Sequence, residues 1–167
     1  MRTVLLVAVA IALSIASPSA EVRQWPGVAI NDANISTTLR LGLEGASHWL
    51  KKPECRALFS EFRDQNGRPL KEALDALQMQ EAEYLMHIRF RDGSSHQMCR
   101  RELTLMYTSP GSRVVFVCAE QFRRNTQRDA NLKSALILHE AMHTLGLGEN
   151  PPTSAHITHR VFTQCAR

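Results

Sequence analysis

Residues 129–150, with the sequence DANLKSALILHEAMHTLGLGEN, determine how the rest of this chain is interpreted. Apolar side chains recur there at helical spacing, Asp129 or Asn131 can cap the helix, and Gly146 can end it. Because apolar residues cover most of its circumference, the helix is predicted to be largely buried. Two histidines four residues apart lie inside this predicted core helix.

These two histidines, His139 and His143, share one helix face because residues four apart lie one turn above the other. Both imidazoles can therefore bind one metal ion, and neutral imidazole suits Zn²⁺. Glu140 lies one residue round the helix, where its carboxylate can take a proton from a water molecule that zinc activates. The pattern His-Glu-x-x-His on a buried helix thus predicts a hydrolytic zinc site with Glu140 as general base.

The motif and the residues after it resemble the extended HExxHxxGxxH motif of the metzincins, a family of zinc peptidases. In that motif a glycine turns the chain so that the last residue becomes the third ligand, and Gly146 and Glu149 take these two places here. Glu149 stands where the family has histidine, but a carboxylate is an acceptable zinc ligand, and zincins resembling the snapalysins use an acidic residue there. A second departure is that no methionine is placed for a Met-turn. The resemblance implies Zn²⁺ held by His139, His143 and Glu149.

Two further histidines leave the identity of the third ligand open. A last helix, capped near residue 153, carries His156 and His159 on one face. Either could replace Glu149 as ligand, or donate a hydrogen bond to the substrate, or be a surface histidine.

The chain before the motif predicts a small α+β domain. Helical spacing favours helices over residues 36–50, 55–62 and 70–77. Alternating apolar and polar residues favour a strand over 84–91. Two strand-like segments, 102–108 and 113–118, are joined by turn residues and favour a hairpin. The predicted fold is therefore N-terminal helices, a small mixed or antiparallel sheet, the buried active-site helix and a short C-terminal helix, in a zincin-like arrangement.

The resemblance implies a further role for the hairpin before the motif helix. In zincins the strand nearest the cleft pairs with the substrate backbone, which implies a peptide or protein substrate bound here. Tyr107 on the hairpin is a candidate hydrogen-bond donor to the developing oxyanion. A single tyrosine on a strand otherwise serves in packing.

The first twenty residues have the features of a secretory signal peptide. Arg2 supplies the positive charge, residues 4–16 are apolar, and residues 17–20 are small. The cleavage position stays open between Ala16 and Ala20. The apolar run is shorter than the roughly twenty residues that span a bilayer, so no stable membrane insertion is expected after cleavage. Residues 21–167 are predicted to form one domain, secreted or periplasmic.

The four cysteines lie after the predicted signal peptide. An even number in an oxidising compartment predicts two disulfides, and the absence of a CxxC pair argues against a zinc site built from them. Four cysteines allow three connectivities. We favour Cys99 with Cys118, around the hairpin, and Cys55 with Cys165, which would join the C-terminus to the N-terminal half.

The composition excludes several classes of function. Lys and Arg number 20 against 16 Asp and Glu, a net charge of +4 that is too small to predict nucleic-acid binding. No repeat or low-complexity tract indicates a solenoid or a linker protein. The zinc-binding motif, its resemblance to the metzincins and the signal peptide together predict a secreted zinc metallopeptidase. The alternative is a secreted binding protein on a zincin scaffold, with structural zinc or none.

Overall fold

The computed structural model describes residues 25–127 and 129–167, so the predicted signal peptide lies outside the described residues. The first helices are α1 (Ala33–Trp49), α2 (Pro53–Glu61), α3 (Leu70–Ala76) and α4 (Glu81–Tyr84). Asp32 caps α1 by accepting hydrogen bonds from two backbone amides, and Pro53 begins α2, where its missing N–H costs nothing. The three helices predicted in this half are confirmed.

The sheet is small and mixed, which confirms the α+β class. Its strands are β1 (Val28–Ala29), β2 (Arg89–Asp92), β3 (Met106–Tyr107) and β4 (Val114–Val117). They lie in the order β1-β2-β4-β3, with β1, β2 and β4 parallel and β3 antiparallel to β4. The predicted hairpin is therefore confirmed as a pair, and its first strand is a short edge strand.

The strand predicted over residues 84–91 is wrong in its first half. Helix α4 ends at Tyr84 and a single 3₁₀ turn follows, so the strand begins only at Arg89. Tyr84, Leu85 and Ile88 are all buried. Leu85 and Ile88 follow Tyr84 by one and four residues, a spacing that also fits a helix. Packing against the core decides here between the helical period and the strand period.

The predicted motif helix is confirmed as a core helix. Helix α5 (Ala119–Thr126) leads to α6 (Ala130–Thr144), whose cap is Asp129, and every residue over 137–144 is buried. Helix α6 packs against α1, the sheet and the last helix, α7 (Ser154–Cys165). Gly42 of α1 permits the close contact between α1 and α6, because a Cβ at this position would lie 2.7 Å from Ile137 Cδ1.

Both favoured disulfides are confirmed. Cys55 and Cys165 join α2 to α7, and Cys99 and Cys118 join the loop after β2 to the start of α5. The buried apolar side chains of the described residues form one cluster around α1, α6 and the inner face of the sheet. Within this described part of the chain, every helix is too short or too polar to cross a membrane.

Candidate metal centre

Three side chains meet at the C-terminal end of α6 with the spacing of metal ligands. The Nε2 atoms of His139 and His143 lie 2.9 Å apart, and Oε1 of Glu149 lies 3.4 Å and 3.3 Å from them. Donor atoms about 2.1 Å from a tetrahedral ion lie about 3.4 Å from one another. The group could therefore hold one metal ion, and Glu149 is its carboxylate member.

Glu149 reaches the histidines because the chain turns sharply after α6. Gly146 has a φ of +108°, a conformation that residues with a side chain avoid. Its carbonyl accepts a hydrogen bond from Gln65 N (3.1 Å), and Leu147 forms an isolated β-bridge with Asp64. The turn at the predicted glycine is thus confirmed, and the loop between α2 and α3 holds it in place.

The second nitrogen of each histidine ring also has a partner. In the tautomer that leaves Nε2 free for a metal, His143 Nδ1–H donates to Leu147 O (2.7 Å) and His139 Nδ1–H donates to Thr158 Oγ1 (2.9 Å). Such contacts orient the rings of metal-binding histidines. Burial lowers the pKa of His139, which keeps the imidazole neutral, the form that binds metals.

Replacing Thr158 by valine is expected to lower metal affinity by about 10- to 100-fold, because valine keeps the volume but cannot accept the hydrogen bond from His139 Nδ1–H. Thr163→Val is the matched control, since the Thr163 hydroxyl donates to Arg160 O within the same helix. Competition with a metal-binding dye measures both affinities. Equal affinities for the two variants would contradict the role of Thr158.

Glu140 is buried beside the three ligand residues, and its Oε2 has no hydrogen-bond partner among the described residues. Burial raises the pKa of Glu140 to about 8, and the negative charge of Glu149 contributes a smaller part of this increase. An unpaired carboxyl group in a protein interior lowers stability. What distinguishes Glu140 is its position next to the metal-spaced group, in the same cleft.

The raised pKa predicts that the metal-free protein loses stability with rising pH. The folded form holds the Glu140 proton up to about pH 8, and the unfolded form releases it near 4.5, so stability falls between these values. The expected loss is a few kcal/mol, at about 1.4 kcal/mol per pKa unit. The lowered pKa of His139 has the opposite effect: below about pH 6.5 it makes stability rise with rising pH, because the unfolded form binds that proton more readily.

Denaturant unfolding in EDTA at several pH values, for wild type and Glu140→Gln, isolates the Glu140 contribution. We expect the variant to gain stability relative to wild type as the pH rises from 5 to about 8. A constant difference between the two proteins over this range would contradict the raised pKa.

The three ligand residues and Glu140 open into a cleft of about 880 Å³. Helix α6 forms one side of the cleft, and the edge strand β3 with the preceding loop forms the other. Leu103 on that loop is 95% exposed. The cleft is large enough for several residues of an extended chain, and β3 belongs to the hairpin that the zincin resemblance placed beside the substrate.

The other predicted site residues are not members of the metal-spaced group, although Tyr107 lines the same cleft. Tyr107 stacks between Phe116 and His96, with ring centroids 5.2 Å and 5.4 Å away. Its neighbour Met106 is buried, so strand alternation directs the Tyr107 side chain to the outer face of the sheet. Its role as oxyanion donor stays a prediction without a supporting contact.

His156 and His159 are exposed on α7, and His156 packs edge-on against Phe62 with centroids 6.3 Å apart. In the described chain, the group able to hold a metal contains Glu149 and neither of these histidines. Sequence reasoning did not find Thr158 or the loop that supports Gly146. Thr158 lies on another helix, 19 residues from its partner, and no spacing rule connects them.

Comparison of the chain with protein-family profiles, with curated protein sequences and with solved structures finds no match. The functional assignment therefore depends on the residues and their geometry.

Proposed function

We propose that this protein is a zinc-dependent peptidase that acts outside the cytoplasm. One observation carries the proposal: the unpaired carboxyl group of Glu140 is buried beside two histidines and a glutamate at metal-ligand spacing, in an open cleft. Two imidazoles, one carboxylate and an open fourth position form the usual ligand set of catalytic zinc in peptidases. Two disulfides support export to an oxidising compartment.

Each residue of the centre has a distinct part in the proposed reaction. Zinc, held by His139, His143 and Glu149, would polarise the scissile carbonyl and make water a stronger nucleophile at neutral pH. Glu140 takes the proton that the attacking water loses. A bound cation would favour the ionised carboxylate of Glu140 before the attack, and the carboxyl group formed in that step can then deliver its proton to the departing amine nitrogen.

The substrate class follows from the shape of the cleft. The outer edge of β3 has no strand partner in the described residues, so its backbone groups can pair with an extended peptide. A peptide lying along β3 would pass the three ligand residues, because both border the same cleft. The proposed substrate is therefore a peptide or an extended protein segment.

The test is cleavage of a random peptide library by the purified, disulfide-intact protein. Activity should require zinc, disappear with a chelator and return when zinc is restored. Glu149→Ala should lose both the metal and the activity, whereas His156→Ala and His159→Ala should retain both. Elemental analysis of the same samples reports the metal content. Bound zinc without cleavage of any peptide would reject the peptidase and favour a binding protein with structural zinc.

A further inference from the structure

A second cavity, of about 370 Å³, lies at the amino-terminal ends of the three parallel strands. Four of its lining residues are cationic or can donate from a ring nitrogen: His87, Arg89, Arg91 and Arg113. Among the described residues that line it, none carries a carboxylate. The cavity shares no lining residue with the metal cleft, so it is a separate site with a basic lining.

The strand pattern explains why the arginines lie together. Arg89 and Arg91 alternate with the buried Phe90 in β2, which places both on the sheet face opposite the core. Arg113 directly precedes β4, and its carbonyl accepts a hydrogen bond from Arg89 N (2.8 Å). Gly27 precedes β1 in the same region and leaves space, because a Cβ there would collide with Ile88 O.

The three guanidinium groups have no acidic partner in the described chain. Other arginines do: Arg68, Arg123 and Arg160 each bind a carboxylate through two hydrogen bonds. Arg91 Nη1 instead donates to the backbone carbonyls of Phe90 (3.2 Å) and Gly27 (3.4 Å). Arg113 lies over the Tyr84 ring, 5.9 Å from its centroid. These contacts orient the side chains without neutralising their charge.

We propose that this cavity, named here the arginine cavity, binds the phosphate group of an anionic ligand. Each guanidinium carries five N–H donors in a planar fork that fits two phosphate oxygens. A phosphate monoester has up to two negative charges and three terminal oxygens. It can therefore accept hydrogen bonds from three guanidinium groups better than a single carboxylate can. The cavity volume accommodates the phosphate and part of the group that carries it.

The probes are glycerol 1-phosphate and inorganic phosphate, titrated calorimetrically into the purified, disulfide-intact protein. The combined variant Arg89→Gln, Arg91→Gln, Arg113→Gln should bind glycerol 1-phosphate at least about tenfold more weakly than wild type. Arg89→Gln alone should weaken binding by about threefold or more, and this side chain is exposed, so its loss should leave the fold intact. The control variant Lys51→Gln, Arg100→Gln, Arg124→Gln removes the same charge elsewhere and should bind like wild type.

Absence of saturable binding to wild type would overturn the proposal. Equal weakening by the control variant would also overturn it, because the effect would then come from net charge. Unchanged binding to both arginine-cavity variants would place the phosphate elsewhere, for example at the metal centre, and would reject the site.

Sedimentation with phosphatidylcholine vesicles, with and without phosphatidic acid, separates two sources of the phosphate group. Binding only to vesicles with phosphatidic acid, competed by glycerol 1-phosphate, would support the site and identify a lipid headgroup. Saturable binding of glycerol 1-phosphate without vesicle binding would support the site and identify a soluble phosphate ester.

Discussion

Replacing Glu140 by glutamine is expected to lower kcat/KM for peptide cleavage by about 10²- to 10⁴-fold, the usual contribution of a general base. Glutamine has the same shape but cannot take a proton from water. His139, His143 and Glu149 are unchanged, so the variant should bind zinc as wild type does. Cleavage rates and elemental analysis on the same preparations measure the two effects separately.

Glu81→Gln is the matched control for this experiment. Glu81 is also buried, and its Oε2 also has no hydrogen-bond partner in the described chain, but it does not line the metal cleft. The same chemical change there should leave kcat/KM near the wild-type value. Full activity of Glu140→Gln with zinc bound would reject Glu140 as general base. An equal loss in both variants would show that the change acts through the fold.

Removing the Cys55–Cys165 disulfide should lower the free energy of unfolding by about 5 kcal/mol. The bond spans 110 residues, and it stabilises the fold because it restricts the conformational entropy of the unfolded chain. For a loop of this length the restriction corresponds to about this free energy. The loss should also reach the metal centre, because Cys165 anchors α7, and α7 carries Thr158 behind His139. Denaturant unfolding of Cys55→Ala, Cys165→Ala and its zinc affinity test both effects.

The second disulfide provides the comparison. Cys99 and Cys118 are only 19 residues apart, so Cys99→Ala, Cys118→Ala should lower the free energy of unfolding by about 3 kcal/mol. That pair joins the loop after β2 to the start of α5 rather than to α7, and zinc affinity should change little. A larger loss from the short loop than from the long one would contradict the loop-entropy explanation.

The residues of the metal centre that sequence analysis found are those governed by local rules. The four-residue spacing of His139 and His143, the cap at Asp129 and the turn at Gly146 all follow from helix geometry and backbone conformation. Both disulfides were also predicted, although sequence alone left three pairings open. The strand predicted over residues 84–91 failed because its apolar spacing fits a helical turn as well as a strand.

The sequence by itself therefore determined the motif helix, the positions of His139, Glu140 and His143 on it, and the α+β class. Only the tertiary structure placed Glu149, rather than His156 or His159, at metal-ligand spacing from the two motif histidines. It also brought Thr158 behind His139 and gathered the arginines of the second cavity. The reason is physical: helix and turn preferences act over a few residues, whereas these contacts join segments that meet only when the core packs.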